Sequence, residues 1–176
     1  MTSTQIRDDW REIEVLHSRF FHAVDRRSYD LIPPMYTADA VDDRGAFKGS
    51  VPEFMEWVKQ AYAGIENSSH IMTNLLIAFD GDKAESEGRE MTYVRLKAPN
   101  AVNILIVSRQ FDRYKRHGGR WLFSHRALCT DWVQVMPETQ RFSAIDAMPV
   151  GVAGAADPVY QRVPLLTKWL RETSEV

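Results

Sequence analysis

The stretch 70–82, HIMTNLLIAFDGD, decides the fold of this chain. Its first part, His70 to Phe79, is rich in isoleucine, leucine and threonine, which favour an extended strand. Asp80-Gly81-Asp82 follows at once, and an Asp-Gly pair between two strand-forming runs is a strong signal for a tight hairpin turn. The run from Ala84 to Lys97 supplies the returning partner, so the sequence predicts an antiparallel hairpin at the centre of the chain.

Two more long strands follow this hairpin. Val102 to Lys115 has strand-forming composition and ends near His117-Gly118-Gly119, a second glycine turn. Trp121 to Val135 then returns as another strand. These runs predict one sheet of long antiparallel strands.

Two amphipathic helices precede the strands. In the first helix, apolar residues recur every three or four positions, which is the spacing of one helix face. These residues are Ile6, Trp10, Ile13, Leu16, Phe20 and Val24. The second helix runs from Val51 to Ala63, and Pro52 suits its first turn. Helices followed by a series of strands predict an α+β domain, with the helices on one face of a curved sheet.

The composition is that of one globular domain. The chain has 176 residues, of which 44% are hydrophobic and 26% charged, and ~150 residues per domain gives about one domain. The 22 basic and 24 acidic residues leave a net charge of −2, so we expect no nucleic-acid partner. The single cysteine, Cys129, excludes a disulfide framework and a cysteine-rich zinc site.

We expect a cytoplasmic protein that does not contact a membrane. The N-terminal sequence MTSTQIRDDWREIE has early acidic residues and lacks the apolar core of a signal peptide. The longest apolar runs, such as Leu75 to Phe79, are far shorter than the ~18 residues of a membrane span. From the change in composition after Val135, we expect residues 1–136 to form the domain. Residues 137–176 would be a C-terminal extension that packs on the domain or on a neighbouring subunit.

Asp25 and His70 are the first candidates for chemistry. His17, Phe21 and Asp25 lie at i, i+4 and i+8 beside the apolar stripe, so Asp25 ends the first helix at the edge of the core. His70 opens the first long strand after the polar stretch 67–69, and histidine is the side chain best suited to take a proton near neutral pH. Taken singly, Asp25 is better explained by an ion pair with a neighbouring arginine, and a lone histidine such as His70 usually has an ordinary structural role.

Arg126 and an acidic stretch are further candidates. Arg126 and His125 are neighbours in the last long strand, so their side chains point to opposite faces of the sheet. One of these faces lines any pocket that the sheet encloses, and an arginine in such a pocket can stabilise an anion. The simpler interpretation of Arg126 is an exposed strand arginine. Asp42 and Asp43 point to opposite faces if they lie in a strand. The chain has no metal-ligand spacing, nucleophile elbow, phosphate loop or dinucleotide fingerprint, so we expect no metal and no cofactor.

Several segments, taken in order, resemble the SnoaL-like branch of the NTF2-like superfamily. They are AVDRR at 23–27, YTADA at 36–40, His70, FDRY at 111–114 and GRWLFSHR at 119–126. The resemblance covers roughly residues 5–135. It implies a cystatin-type α+β roll, in which the N-terminal helices pack into the concavity of a cone-shaped, curved sheet of mixed or antiparallel strands.

Within this branch the chain is similar to cofactor-free lyases of the hexachlorocyclohexane dehydrochlorinase and scytalone dehydratase type. In these lyases an aspartate at the end of the first helix holds a histidine that takes a proton, and Asp25 and His70 match those positions. Arg126 matches a pocket arginine of the dehydrochlorinase, in the stretch WLFSHR. The resemblance thus implies that Asp25, His70 and Arg126 are catalytic. It does not identify the acid that protonates a leaving oxygen, for which Tyr36, Asp43 and Tyr93 are candidates, and we expect Tyr36 to position or protonate that oxygen. The residues expected to bind substrate are Phe21, Asp43, Trp57 and Tyr93.

The reaction implied is a cofactor-independent elimination on a small apolar or aromatic substrate. It would be a dehydration or a related cleavage of a C–O or C–C bond, including retro-aldol deformylation. Val24 and Phe20 stand where scytalone dehydratase and the bile-acid dehydratases have tyrosines, so neither of those substrates is implied.

Two alternatives stay open. A cofactor-free isomerase or cyclase would need an acid deeper in the sheet, and a non-catalytic binding domain would not need the Asp–His pair. Because the sheet of this fold usually pairs with a second copy, we also expect a homodimer or homotrimer.

Overall fold

A six-stranded sheet with helices on one face forms the structure, a computed structural model that describes residues 2–99, 101–137 and 149–172. Helix α1 is followed by two short 3-10 turns, two strands, helix α2 and four long strands, and two short helices lie in the C-terminal part. The helices and strands are α1 (Ser3–Asp25), β1 (Tyr36–Asp43), β2 (Lys48–Ser50), α2 (Val51–Tyr62), β3 (Ile65–Asp80), β4 (Lys83–Leu96), β5 (Val102–His117), β6 (Arg120–Pro137), α3 (Val159–Arg162) and α4 (Pro164–Glu172).

The sheet is mixed and curved, and it does not close into a barrel. Its strand order is β2-β1-β6-β5-β4-β3, in which β1 and β6 run parallel and all other neighbours antiparallel. The register shifts between Thr73 and Leu75 in β3, and twice along the pairing of β5 with β6. Such bulges bend a strand and increase its twist. This architecture confirms the predicted α+β fold with its curved sheet.

The helices fill the concave face of the sheet. Helix α1 buries the predicted stripe from Ile13 onward, and its aromatic member Phe20 packs against aromatic residues of β1, α2 and β6, as when it meets Phe123 edge to face. Helix α2 begins with a capping box between Ser50 and Glu53 and buries Phe54. Each large apolar side chain buried in this way contributes ~1.5–3 kcal/mol. This packing fixes the C-terminal end of α1 against β3.

Strand β3 begins earlier than the composition predicts. His70 was expected to open the strand, but β3 starts at Ile65, which pairs with Leu96, and Ser68 pairs with Val94. The partner strand is long enough to satisfy the backbone of the polar stretch, which therefore extends instead of turning. His70 lies inside the strand, and Ser68 becomes a buried side chain beside it.

The described part of the C-terminal extension packs on the same chain. The guanidinium of Arg26 lies 3.2 Å from the carboxylate of Asp157, and the amide of Gly154 donates to the carbonyl of Arg26. The hydroxyls of Ser28 and Tyr160 are 2.6 Å apart. These contacts hold the extension against the end of α1. The expected homodimer or homotrimer stays a prediction.

Candidate active site

A buried carboxylate–imidazole pair joins α1 to β3. Oδ1 of Asp25 lies 2.6 Å from Nδ1 of His70, although the two residues are 45 positions apart in the chain. Asp25 ends α1, and its other oxygen accepts a hydrogen bond from the backbone amide of His70 at 3.0 Å. Both side chains are about nine-tenths buried. The structure therefore brings together the two residues expected to act as a pair.

Asp25 is held as a carboxylate by its neighbours. The hydroxyl of Ser68 donates to Oδ1 at 2.8 Å, in addition to the two bonds from His70. Burial by itself raises the pKa of Asp25, but these hydrogen bonds and the proximity of the imidazole outweigh it, so the pKa lies below its usual value. An ionised Asp25 accepts a hydrogen bond from the N–H at Nδ1, so the lone pair of the neutral His70 ring lies on Nε2.

The ring of His70 is fixed on its flat side as well. Phe21 stacks on it with the ring centroids 5.2 Å apart and the planes 9° apart. Phe21 lies one helical turn before Asp25, so α1 supplies both the hydrogen-bond acceptor and the stacking partner. The imidazole is thereby held in one orientation and one tautomer.

Nε2 of His70 faces an apolar cavity of about 250 Å³ that is bordered by α1, α2 and the concave face of the sheet and opens to solvent. Aromatic and aliphatic side chains make up most of the lining: Phe20, Phe21, Val24, Phe54, Trp57, Val58, Ile65, Val94, Ile106 and Leu128. A second, more polar hollow of about 500 Å³ lies on the other side, between α1 and β3. Since the free lone pair of His70 lies on the side of Tyr62 and Glu90, we take the apolar cavity as the site.

Two polar residues that the sequence did not single out stand beside Nε2. The hydroxyl of Tyr62 is 3.3 Å from it, and Oε1 of Glu90 is 3.8 Å from it. Burial, and then the negative charge of Asp25, raises the pKa of Tyr62, so its hydroxyl stays protonated as a donor. Glu90 lies on the same face of β4 as the buried Ala84 and Val94. Because side chains alternate between the two faces of a strand, the sequence could have indicated that Glu90 points inward.

A buried hydrogen-bonded chain runs from Glu90 to Arg126. The amide nitrogen of Gln110 donates to Glu90, and Arg126 donates to the amide oxygen of Gln110. Arg126 also makes two hydrogen bonds to Asp112, at 2.9 and 3.1 Å. This series of hydrogen bonds connects Glu90 in the cavity wall to the buried Arg126–Asp112 ion pair of the sheet.

Arg126 and Tyr36 are placed differently from what was expected. Arg126 lies below the cavity lining, between the rings of Phe20 and Phe123, with its charge paired to Asp112. Tyr36 is buried and donates its hydroxyl to Asp42 at 2.8 Å. Burial, then the charge of Asp42, raises the pKa of Tyr36. Neither residue borders the cavity, because both are engaged in ion-pair networks of the core.

Of the four residues expected to bind substrate, two line the cavity and two lie elsewhere. Phe21 and Trp57 line the cavity. Asp43 points away from it and pairs with Lys48 at 3.0 Å, while its neighbour Asp42 takes the inward position. Tyr93 is 42% exposed on the opposite face of the sheet, because it alternates with the inward-facing Thr92. The expectations for Asp43 and Tyr93 are corrected accordingly.

The described ranges contain no group of three or more histidine, cysteine, aspartate or glutamate side chains arranged to hold a metal ion. Within the same ranges, no helix is long and apolar enough to cross a membrane.

Comparison with known proteins agrees with this architecture. A family model described as a SnoaL-like domain matches residues 5–127. An uncharacterized protein of Mycobacterium tuberculosis is 31% identical over 81 residues, which are 44% of this chain and 55% of that protein. The match thus spans about half the length of this curated relative.

Two solved structures share the fold. The hexachlorocyclohexane dehydrochlorinase LinA-type3 of Novosphingobium barchaimii has a TM-score of 0.72 at 21% identity, covering 80% of this chain and 98% of that chain. A scytalone dehydratase-like protein of Novosphingobium aromaticivorans has a TM-score of 0.68 at 18% identity, covering 80% and 94%. At these identities the likeness establishes the fold.

Proposed function

Because the chain belongs to the SnoaL-like family, we propose that it is a cofactor-free lyase acting on a small apolar or aromatic substrate. The observation that carries this proposal is the 2.6 Å contact between Asp25 and His70, with Nε2 directed into an apolar cavity. A fixed imidazole with an oriented lone pair is a general base. The likeness in fold to a dehydrochlorinase and to a scytalone dehydratase-like protein supports an elimination.

In the proposed step, Nε2 of His70 removes a proton from carbon. The electron pair of the C–H bond forms the new double bond, and the leaving group departs from the adjacent carbon with the electrons of its own bond. Asp25 stabilises the imidazolium through Nδ1, as the aspartate does in a catalytic triad. The imidazolium then passes its proton to the leaving group or to water, which restores the neutral ring.

Tyr62 is the proposed hydrogen-bond donor to the departing atom. Its hydroxyl lies 3.3 Å from Nε2, so a reacting group at the imidazole is within reach of both. A donor aimed at developing negative charge is worth most in a site from which water is excluded. Tyr62 takes the role for which the sequence suggested Tyr36.

The test is turnover of a substrate panel by the wild-type protein and two site variants. The panel contains small chlorinated alicyclic compounds and aromatic alcohols, and the readouts are chloride release and the mass of the alkene product. His70→Ala and Asp25→Asn should each lower kcat by about 10²–10⁴-fold, the usual contribution of a general base. His117→Ala, at the exposed end of β5, is the matched control and should leave kcat unchanged.

A cofactor-free isomerase is the second candidate, and Glu90 is the observation that favours it. An isomerase needs a second group to return the proton at a new position, and Oε1 of Glu90 lies 3.8 Å from Nε2. In deuterated water, an isomerase would give a product of unchanged composition that carries solvent deuterium at the new position. A lyase product would lack the leaving group. An unchanged His70→Ala variant would count against both enzyme functions.

A further inference from the structure

Two hydrogen-bond acceptors stand side by side in the cavity wall. Nε2 of His70 carries a lone pair because Nδ1 donates to Asp25, and Oε1 of Glu90 lies 3.8 Å away. Two acceptors cannot bond to each other, so each takes its hydrogen bonds from other groups. The hydroxyl of Tyr62 lies 3.3 Å from Nε2, a long contact that a donor on a ligand would replace. The separation is too wide for a direct contact, but it is narrow enough for two adjacent donors of one ligand to reach both atoms.

Glu90 is arranged as an acceptor on both of its oxygens. The hydroxyl of Thr92 donates to Oε1 at 2.5 Å, and the amide of Gln110 donates to Oε2. The side-chain amide of Gln110 is fixed in this orientation, because its oxygen accepts a hydrogen bond from Arg126. A flipped amide would present its NH2 group to the guanidinium, which only donates, and that hydrogen bond would be lost. The carboxylate therefore keeps its free lone pairs for the cavity.

The guanidinium that lines the cavity is already neutralised. Arg44 lines the cavity, and its guanidinium makes two hydrogen bonds to the buried Asp42, at 2.5 and 3.1 Å. Arg126, below the lining, is paired with Asp112. A carboxylate on a ligand would thus meet Glu90 without an unpaired guanidinium in the lining to receive it, and like charges placed together are strongly disfavoured.

The remaining walls favour a small ring. Phe54 and Trp57 stack on each other across part of the lining, and Phe20 and Phe21 contribute two more rings. The volume of about 250 Å³ is below the ~300–1,000 Å³ of pockets for drug-sized ligands. The cavity therefore suits a single substituted ring.

We propose that Glu90 makes this cavity selective for a small ring compound that carries two adjacent hydrogen-bond donors and no carboxylate. Vicinal hydroxyls, or a hydroxyl next to an amine, have this pattern. The inference names the substrate class of the proposed lyase and rests on that function, but it concerns binding and can be measured without turnover.

The test compares three probes with the same phenyl carbinol part. They are 1-phenylethane-1,2-diol, 2-methoxy-1-phenylethanol, which lacks one donor, and mandelate, which carries a carboxylate. Binding at about pH 7.5, where a carboxyl group is ionised, is followed by tryptophan fluorescence. A Trp57→Phe variant shows whether the signal comes from the cavity. The diol should bind at least about tenfold more tightly than either of the other two probes.

The variant Glu90→Gln removes the charge while keeping the size of the side chain. It should reduce the preference for the diol over mandelate by at least about tenfold, mainly through tighter binding of mandelate. Glu87→Gln is the matched control, since Glu87 is exposed on the opposite face of the same strand. If Glu90→Gln does not fold, the order of the three probes on the wild-type protein still decides the question.

The outcomes separate this inference from the proposed function. Mandelate binding as tightly as the diol, or no binding of the diol to the cavity, would overturn the selectivity while leaving elimination of other substrates possible. Preferred binding of the diol together with no elimination on any panel member would support the selectivity and count against the lyase.

Discussion

The ring of Phe21 lies parallel to the imidazole of His70, with an angle of 9° between their planes. Phe21 belongs to the same helix that ends in Asp25, so one rigid element fixes the imidazole from two directions. A base held in this way loses little freedom when it reacts, which is the basis of preorganised catalysis. The stacking contact is therefore expected to matter for rate as well as for packing.

Replacing Phe21 by leucine should separate the two effects. Leucine keeps an apolar side chain in the core but removes the flat surface against His70, so kcat should fall about tenfold while the protein stays folded. Phe21→Ala should add a cavity and cost ~3–5 kcal/mol of unfolding free energy. Urea unfolding and steady-state kinetics on the same preparations distinguish these losses. An unchanged kcat in Phe21→Leu would show that the stacking only fills space.

The row His17, Phe21 and Asp25 illustrates how much the sequence determines. Helical spacing alone places the three side chains on one face, and the structure buries all of them. The hairpin around Gly81 was equally predictable, because turn chemistry and strand composition agree there. Elements whose local signals agree with the tertiary structure could thus be predicted from the sequence.

The site was only partly predictable because burial and pairing are tertiary properties. Arg126 was expected in the pocket, but Asp112 on the neighbouring strand captures its charge below the lining. Strand alternation correctly separated Asp42 from Asp43 without indicating which of them faces inward. Glu90 gave a weak signal through its alternation with buried residues of β4, and the contact of Tyr62 with His70 depends on where α2 ends.

The ion pair between Arg126 and Asp112 gives a second prediction. Both side chains are almost fully buried, and burial, opposed by Arg126, raises the pKa of Asp112. Arg126→Met leaves a buried carboxylate unpaired and should cost ~3–5 kcal/mol of unfolding free energy. The double variant Arg126→Met/Asp112→Leu should recover most of that loss in urea unfolding. Full stability with lost turnover in Arg126→Met would instead assign Arg126 a direct role on the substrate.

The lowered pKa of Asp25 links stability to pH. Burial opposes the shift, and the hydrogen bonds from His70 and Ser68 cause it. A carboxyl group with a lowered pKa in the folded state stabilises the protein above its unfolded pKa of ~3.9, and this contribution is lost as the pH falls through the folded value. Asp25→Asn should therefore be less stable than wild type at about pH 7, and the difference should shrink below about pH 4.

Urea midpoints measured across this pH range test the prediction. Asp80→Asn is the control, because Asp80 is exposed at the end of β3, where it pairs with Lys83 across the turn. Its stability should follow that of the wild type at every pH. A gap between Asp25→Asn and wild type that stays constant down to about pH 3 would mean that the carboxylate charge contributes nothing.

Tyr62 provides the prediction that bears most directly on the reaction. Its ring is held by the guanidinium of Arg27, 4.6 Å from the ring centroid, so Tyr62→Phe should keep the fold. The variant loses only the hydroxyl near Nε2, with a stability cost of ~1 kcal/mol or less. As the donor to the departing atom, the hydroxyl should contribute about 10²-fold to kcat, and KM should change little. Tyr160→Phe removes a hydroxyl that contacts Ser28 outside the cavity and should leave kcat unchanged. If Tyr62→Phe and wild type have equal kcat, the Tyr62 hydroxyl does not assist the departing atom. The imidazolium of His70 would then deliver the proton by itself, so that Nε2 both takes the proton from carbon and returns it.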